Sequence, residues 1–157
     1  MFCLTLIIEW YLPLSAGSRL HVKSEAREGA YSTLIDTYAT RLEGRGVNVT
    51  RHSGKLSLDE YISKLQKEKG NLILLDENGP SISTEKFVKK WNSWRGGANT
   101  IHLAIGPVDG WMENLPFEHE KLGLGPLTMT YEMAAVVLLE QLYRCSEIER
   151  GSGYHRQ

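Results

Sequence analysis

Short unbroken apolar runs alternate along this chain with longer stretches in which apolar residues recur every three or four positions. The run Phe2 to Ile8 suits a buried strand. Trp10 to Lys23, broken by Pro13 and Gly17, reads as a loop. Ser24 is a candidate N-cap with Glu25 and Glu28 in or near the first turn. Tyr31, Leu34, Ile35, Tyr38 and Leu42 then share a helical stripe that stops near Gly44. Val47, Val49 and Arg51 alternate with Asn48, Thr50 and His52, as in a strand with one drier face. Ser57 and Glu60 form a capping-box pair before Leu58, Tyr61, Ile62 and Leu65, and Gly70 ends that helix. "NLILL" is a buried strand running into the turn "DENGP". Ser83 opens a helix with Phe87, Val88, Trp91 and Trp94 on one side and Lys86, Lys89, Lys90 and Arg95 elsewhere. "TIHLAI" is a strand ending at Gly106, and "KLGLGPL" a short strand or extended segment. Thr128 or Thr130 caps a last helix, apolar almost all round from Met133 to Leu139. Such a helix is buried on several sides, and in a small domain this suggests an oligomer interface.

The order β-α-β-α-β-α-β, a short strand, then α predicts an α/β domain with a mainly parallel sheet flanked by helices on both faces. At 157 residues the chain is expected to form one domain. Apolar residues at 41% and charged residues at 24% exclude wholesale disorder. A net charge of −1 excludes a global basic field, so recognition of nucleic acid requires a local patch or one built across an oligomer. Cys3 and Cys145 have no metal-ligand spacing, and a reduced cytoplasmic setting is expected. Glu9 interrupts the first apolar run, which lacks a basic leader, so a strand is expected there and not a signal peptide. No run reaches eighteen apolar residues, and no membrane span is expected. The histidines His21, His52, His102, His119 and His155 are scattered, and His119-Glu120 lacks a second histidine at metal spacing, so no metal site is expected.

In open parallel sheets, ligands bind beyond the carboxyl ends of the strands. Three strand ends here carry glycine-bearing loops, in "LLDENG", "IGPVDG" and "LGLGPLT". Glycine lets backbone approach a ligand closely. None of the three matches G-x-G-x-x-G or a P-loop, so a ligand held by backbone groups fits better than a dinucleotide or triphosphate. The Trp91/Trp94 pair reads as core and the lysines beside it as a solvated face. The chain ends "GSGYHRQ". An aromatic, an imidazole and a guanidinium thus follow a flexible Gly-Ser-Gly. The residues alone leave two readings, a solvated tail or one that reaches a site.

The stretches "LLDENGPSISTEKF", "IHLAIGPVDGW" and "LGLGPLTMTYEMAAVVLLEQLYRCSEIERGSGYHR" resemble the successive signatures of the RlmH family of SPOUT-class methyltransferases. The resemblance covers residues 72 to 156. It implies a single domain over residues 1–157, a C-terminal deep trefoil knot over about residues 72–157, and a homodimer. It implies S-adenosylmethionine as cofactor, and N3 of a pseudouridine in helix 69 of large-subunit (23S) ribosomal RNA, within the ribosome, as target. Cofactor contacts would come from Leu75, Gly106 and the run Leu124, Gly125, Pro126, Leu127, Thr128 and Met129. The tail would line the active site beside the partner's cofactor. There His155 acts as base or holds the nucleobase, Tyr154 stacks on it, and Arg156 pairs with phosphate. The chain departs from the family pattern at Pro107, where a second glycine is usual, at Gly123 and Gly125, where serines are common, at Tyr131 for histidine and at Ala135 for arginine. These departures motivate two neighbouring readings, a non-catalytic SPOUT-like protein that binds ribosomal RNA and a relative that methylates another RNA.

Overall fold

The computed structural model describes residues 2–7, 18–22 and 29–155. Ser24, Glu25 and Glu28, the side chains of Cys3 and His155, and all of Arg156 lie outside the described residues.

Among the described residues six strands form one sheet: β1 (Phe2–Ile7), β2 (Ser18–Val22), β3 (Val47–Ser53), β4 (Asn71–Leu75), β5 (Ile101–Ile105) and β6 (Glu120–Leu122). Their spatial order is β3-β1-β2-β5-β4-β6. The four-strand half β2-β5-β4-β6 is parallel, whereas β1 runs antiparallel to both β2 and β3. Only residues 8–17 separate β1 from β2, too few for the helical crossover that a parallel pair needs. Strand β2 falls in the segment expected to be a loop. "SRLHV" carries Arg19 and His21 within five residues, so its apolar signal is faint. Its place between β1 and β5 comes from pairing, not from hydrophobicity.

Four helices cover the sheet unequally. Helices α1 (Gly29–Leu42), α3 (Thr84–Gly96) and α4 (Tyr131–Glu149) share one core with Ile73, Leu75, Leu103 and Ile105. Helix α2 (Leu58–Gln66) covers the other face, where Tyr61 and Leu65 meet Leu74 and Ala104, joined by Trp111, Leu115 and Phe117 from the loop after β5. Alternation along β4 and β5 sorts these side chains to the two faces. The caps match the expected ones. Ser57 and Glu60 close a reciprocal capping box, and Ser83 and Thr130 accept from the amides three residues on.

Helix α4 is core within its own chain. Ala135, Leu138, Leu139 and Leu142 are all fully buried there. The apolar run expected to mark an oligomer interface is therefore largely accounted for inside one protomer; Met133 is exposed and Val137 half-buried. Glu149 binds α4 to α3, accepting from Trp91 Nε1 at 3.2 Å and from Arg95 Nε at 2.9 Å. The Gly-Ser-Gly that reads as a flexible hinge is instead a helix stop. Gly151, at φ 71°, donates its N–H to the Ile148 carbonyl, and Ser152 donates to Glu147. This pair of bonds is a Schellman motif. A 3-10 turn at Gly153–His155 then carries the tail back toward α4.

Candidate active site

Strands β2, β4, β5 and β6 end at one level, because Ile105 lies beside both Val22 and Leu75, and Leu75 beside Leu122. The loops 76–83, 106–119 and 123–130 therefore leave from a common rim, where the parallel-sheet rule places a ligand. The first and third are zipped together. Asp76 N–H donates to the Leu122 carbonyl, Gly123 N–H to Pro80 and Ile82 N–H to Gly123, all at 3.0–3.1 Å. A Cβ on Gly123 would stand 2.7 Å from the Gly79 carbonyl oxygen, and one on Gly79 would stand 2.9 Å from the Leu122 carbonyl carbon. Close backbone approach thus requires glycine at both positions. The Asp76 carboxylate accepts from Lys121 Nζ at 2.7 Å and from the Asn78 N–H at 2.9 Å. Burial alone would raise this carboxyl, but the bonds from Lys121 and Asn78 prevail and hold it below the usual carboxylate range.

The middle loop folds over the rim. Pro107 accepts a bond from the Gly110 N–H at 3.0 Å, and Gly110 has φ 80°. This tight turn brings Trp111 back over Gly106, where a Cβ would come within 3.0 Å of Trp111 Nε1. Trp111 Nε1 donates to the Leu75 carbonyl at 2.9 Å, and Tyr61 Oη donates to the Ile105 carbonyl at 3.2 Å. The two rings stack with centroids 5.9 Å apart. Leu75 and Gly106 are therefore brought together, and the agent that joins them is Trp111, which sequence reasoning passed over as a site residue. The signal lay in "IGPVDGW", an aromatic following a glycine turn at a strand end. In the third loop, Leu124 packs on the core, while Pro126, Leu127 and Thr128 are exposed and Met129 is half-buried. Gly125, at φ 147°, has no atom within 4 Å of a would-be Cβ, so its backbone is open to a ligand.

The described part of the tail is anchored. Tyr154 Oη donates to Glu140 Oε1 at 3.2 Å, and Arg144 donates to the Tyr154 carbonyl at 3.3 Å and to the same carboxylate at 2.8 Å. The Tyr154 ring meets Tyr143 edge-on at 4.9 Å and lies under the Arg144 guanidinium at 5.1 Å. Arg41 and Arg45 stand over the Tyr143 ring. Burial, then hydrogen bonding with Tyr38 and Glu140, pushes the Tyr154 phenol far above its ordinary value, so it keeps its proton at neutral pH. This cluster sits on the C-terminal half of α4. Among the described residues of one chain it does not meet the three loops.

On the α2 face, three imidazoles form a chain. His102 Nε2 lies 3.0 Å from the Lys69 carbonyl, His21 Nε2 3.1 Å from His102 Nδ1, and His52 Nε2 3.2 Å from His21 Nδ1. A carbonyl can only accept, so His102 carries its proton on Nε2 and accepts at Nδ1. The same assignment then passes to His21 and His52. His21 and His102 are fully buried, and this chain satisfies them, as the structural role expected for His102 requires.

Comparison with known proteins adds three findings. Residues 19–155 match a family described as "Predicted SPOUT methyltransferase". The chain is 34% identical over 137 residues to the Ribosomal RNA large subunit methyltransferase H of Koribacter versatilis (strain Ellin345), covering 83% of this chain and 92% of that protein. It is 30% identical over 142 residues to the protein of the same name from Synechococcus sp. (strain CC9605), covering 90% and 97%.

Proposed function

Since the chain belongs to the SPOUT methyltransferase family and to its RlmH branch, we propose that it transfers a methyl group from S-adenosylmethionine to N3 of a pseudouridine in helix 69 of large-subunit ribosomal RNA. The observation that carries this reading is the meeting of three glycine-bearing loops at one strand-end rim. The residues fit the cofactor. Gly125 offers open backbone beside the apolar Leu124, and the rim needs no phosphate fingerprint for a ligand without pyrophosphate. The bound cofactor supplies an electrophilic methyl group on its sulfonium. Leu75, Gly106 and Leu124 to Met129 hold and orient it. Trp111 and Tyr61 fix the carbonyls of Leu75 and Ile105 beforehand, so the polar groups of the rim are already aimed when a ligand arrives.

The tail supplies the acceptor's side of the reaction in this reading. Tyr154 keeps its proton, so it stacks on or donates to the nucleobase, and removal of the N3 proton falls to His155. Arg156 pairs with phosphate. Among the described residues the tail does not meet the rim within one chain, which supports a homodimer as the working unit, each tail completing the partner's rim. Exposed Leu127 in the third loop and Met133 at the start of α4, with Val108 and Met112 in the middle loop, are the apolar surface that such a partner would cover. Residues 72–157 form the knotted, cofactor-binding part of a single domain, and no described helix is long and apolar enough to cross a membrane. We place the protein in the cytoplasm with its ribosomes.

The test is transfer of labelled methyl groups from S-adenosylmethionine to large ribosomal subunits, with the modified nucleotide mapped. Label at N3 of a helix 69 pseudouridine supports the reading, and label in another RNA moves the target. A protein that binds ribosomal RNA but no cofactor would be a non-catalytic relative.

A further inference from the structure

Beyond the rim, on the outer side of β6, lies an open groove of about 450 Å³. Among the described residues, strand β6 ends the sheet and its outer edge has no strand neighbour. Helix α3 forms one wall and Pro80, Ser81 and Ile82 another. Ser81 also pairs with Gly123, so the groove and the candidate active site share a wall. Four lysines line it, Lys86, Lys89, Lys90 and Lys121, against one carboxylate, Glu120. That is an excess of three positive charges on a chain whose net charge is −1.

Lysines on an edge strand ordinarily block sheet extension, and Lys121 is explained that way. The other three stand on α3 at i, i+3 and i+4, one helical face turned to the groove. Their commitments differ. Lys90 pairs with Glu120, and Lys121 with Asp76 at 2.7 Å. Among the described residues Lys89 pairs only with Glu85, both ends being more than 70% exposed, a contact worth little in water. Lys86 has no ion-pair partner among the described residues. Two cations are thus tethered to the strand end and two are available to an outside anion.

We propose that this groove is a track for the phosphodiester backbone of the RNA substrate, leading to the rim from the outer edge of β6. The proposal rests on the RNA methyltransferase reading above. It supplies the local patch that a chain of near-zero net charge needs to hold a polyanion. An open, lysine-lined trough with the hydroxyls of Ser81 and Ser93 suits a backbone read by charge, not by base edges.

The test compares wild type with the Lys86→Ala/Lys89→Ala double variant, using Lys55→Ala/Lys67→Ala as a control pair elsewhere on the surface. The probe is isolated large-subunit ribosomal RNA, with affinity measured across salt concentrations. The groove variant should bind several-fold more weakly. The slope of log affinity against log salt should fall by about 1–2, as expected for two lost phosphate contacts. Its KM for RNA should rise, while kcat and cofactor affinity stay unchanged. Wild-type affinity and slope in the groove variant, or an equal loss in the control pair, overturns the proposal and would fit a surface for a protein or for solvent. A wild-type protein that binds neither cofactor nor RNA fails earlier, at the methyltransferase reading itself.

Discussion

Acidification should weaken this fold through its histidine chain before its carboxylates respond. His52 is held down to about 4 from 6.5, first by burial and then by the nearby Lys64 ammonium. The unfolded chain takes up that proton near 6.5 and the folded chain only near 4, so between these values the unfolded state binds more protons. Stability is therefore full above about 6.5 and is lost as the pH falls toward 4. Each pH unit of that window is worth about 1.4 kcal/mol at most, and the ring is only half-buried. Allowing for screening leaves about 1–2 kcal/mol. The geometry limits what the chain can absorb. With Nε2 of His102 committed to the Lys69 carbonyl, each ring-to-ring link holds one proton, and among the described residues Nδ1 of His52 is the place left open to another. One extra proton fits; a second would set two donors face to face. His52→Gln keeps an amide able to donate to His21 Nδ1 but does not titrate. Urea unfolding of wild type and this variant at pH 8, 6 and 4.5 should give unfolding free energies that are close at pH 8 and diverge by about 1–2 kcal/mol at pH 4.5, the variant losing less. Parallel pH profiles, or a wild type that gains stability in acid, would refute the assignment of this chain. Asp76 and Glu147, whose pKa values are lowered, give up their contributions only as the pH falls further.

Gly123→Ser should cost about 1–3 kcal/mol in thermal unfolding, because its Cβ meets the Gly79 carbonyl at 2.7 Å; cofactor affinity by calorimetry should fall with it, and an unaltered protein would mean the zipped loops yield freely. Leu138→Asp should leave no folded monomer by circular dichroism, a loss above about 4 kcal/mol from an unpaired buried charge, and a folded monomer would place Leu138 at a dimer seam. Deleting Tyr154 to Gln157 should abolish methyl transfer in labelled-cofactor assays while sparing cofactor affinity. The same deletion should lower stability by about 1–3 kcal/mol, since Tyr154 is bonded to Glu140 and Arg144. Retained transfer would remove the tail from the chemistry.

Elements with strong local signals were legible in the sequence. "NLILL", "TIHLAI" and the Ser57/Glu60 box each carry their own instruction, and the structure places them as read. Strand β2 was not legible because its warrant is non-local. Arg19 and His21 argue against a strand until β5 is in place to pair with the backbone of β2 and the His52–His21–His102 chain to satisfy His21. The hinge reading of Gly151 to Gly153 failed for a related reason. Glycine composition cannot separate a flexible linker from a helix stop, and only the bonds from Gly151 and Ser152 back to α4 decide it. Of the candidate site, the three glycine-bearing loops were legible as neighbours on one rim, and the tail's part in it is a proposal. Trp111 was not, because a tryptophan near a strand end has no spacing that distinguishes a roof over the rim from core.

The departures from the family pattern take on a different sense once packing is considered. Each could signal a decayed site, yet three of the five, Gly123, Pro107 and Ala135, have a local partner that accounts for them, while Gly125 has only its φ of 147°, which favours glycine, and nothing in the structure explains Tyr131. Gly123 is where the Gly79 backbone comes too close for a side chain. Pro107 lacks an amide donor, but its carbonyl starts the turn that seats Trp111 over Gly106, where Trp111 donates to the Leu75 carbonyl and closes the rim. Ala135 is fully buried in the core of α4, so an arginine there would leave a charge without water. Random loss would leave voids and orphaned groups. Replacements that fit one another are what a repacked, still selected rim should show, which is why cofactor binding is the measurement on which the methyltransferase reading should stand or fall.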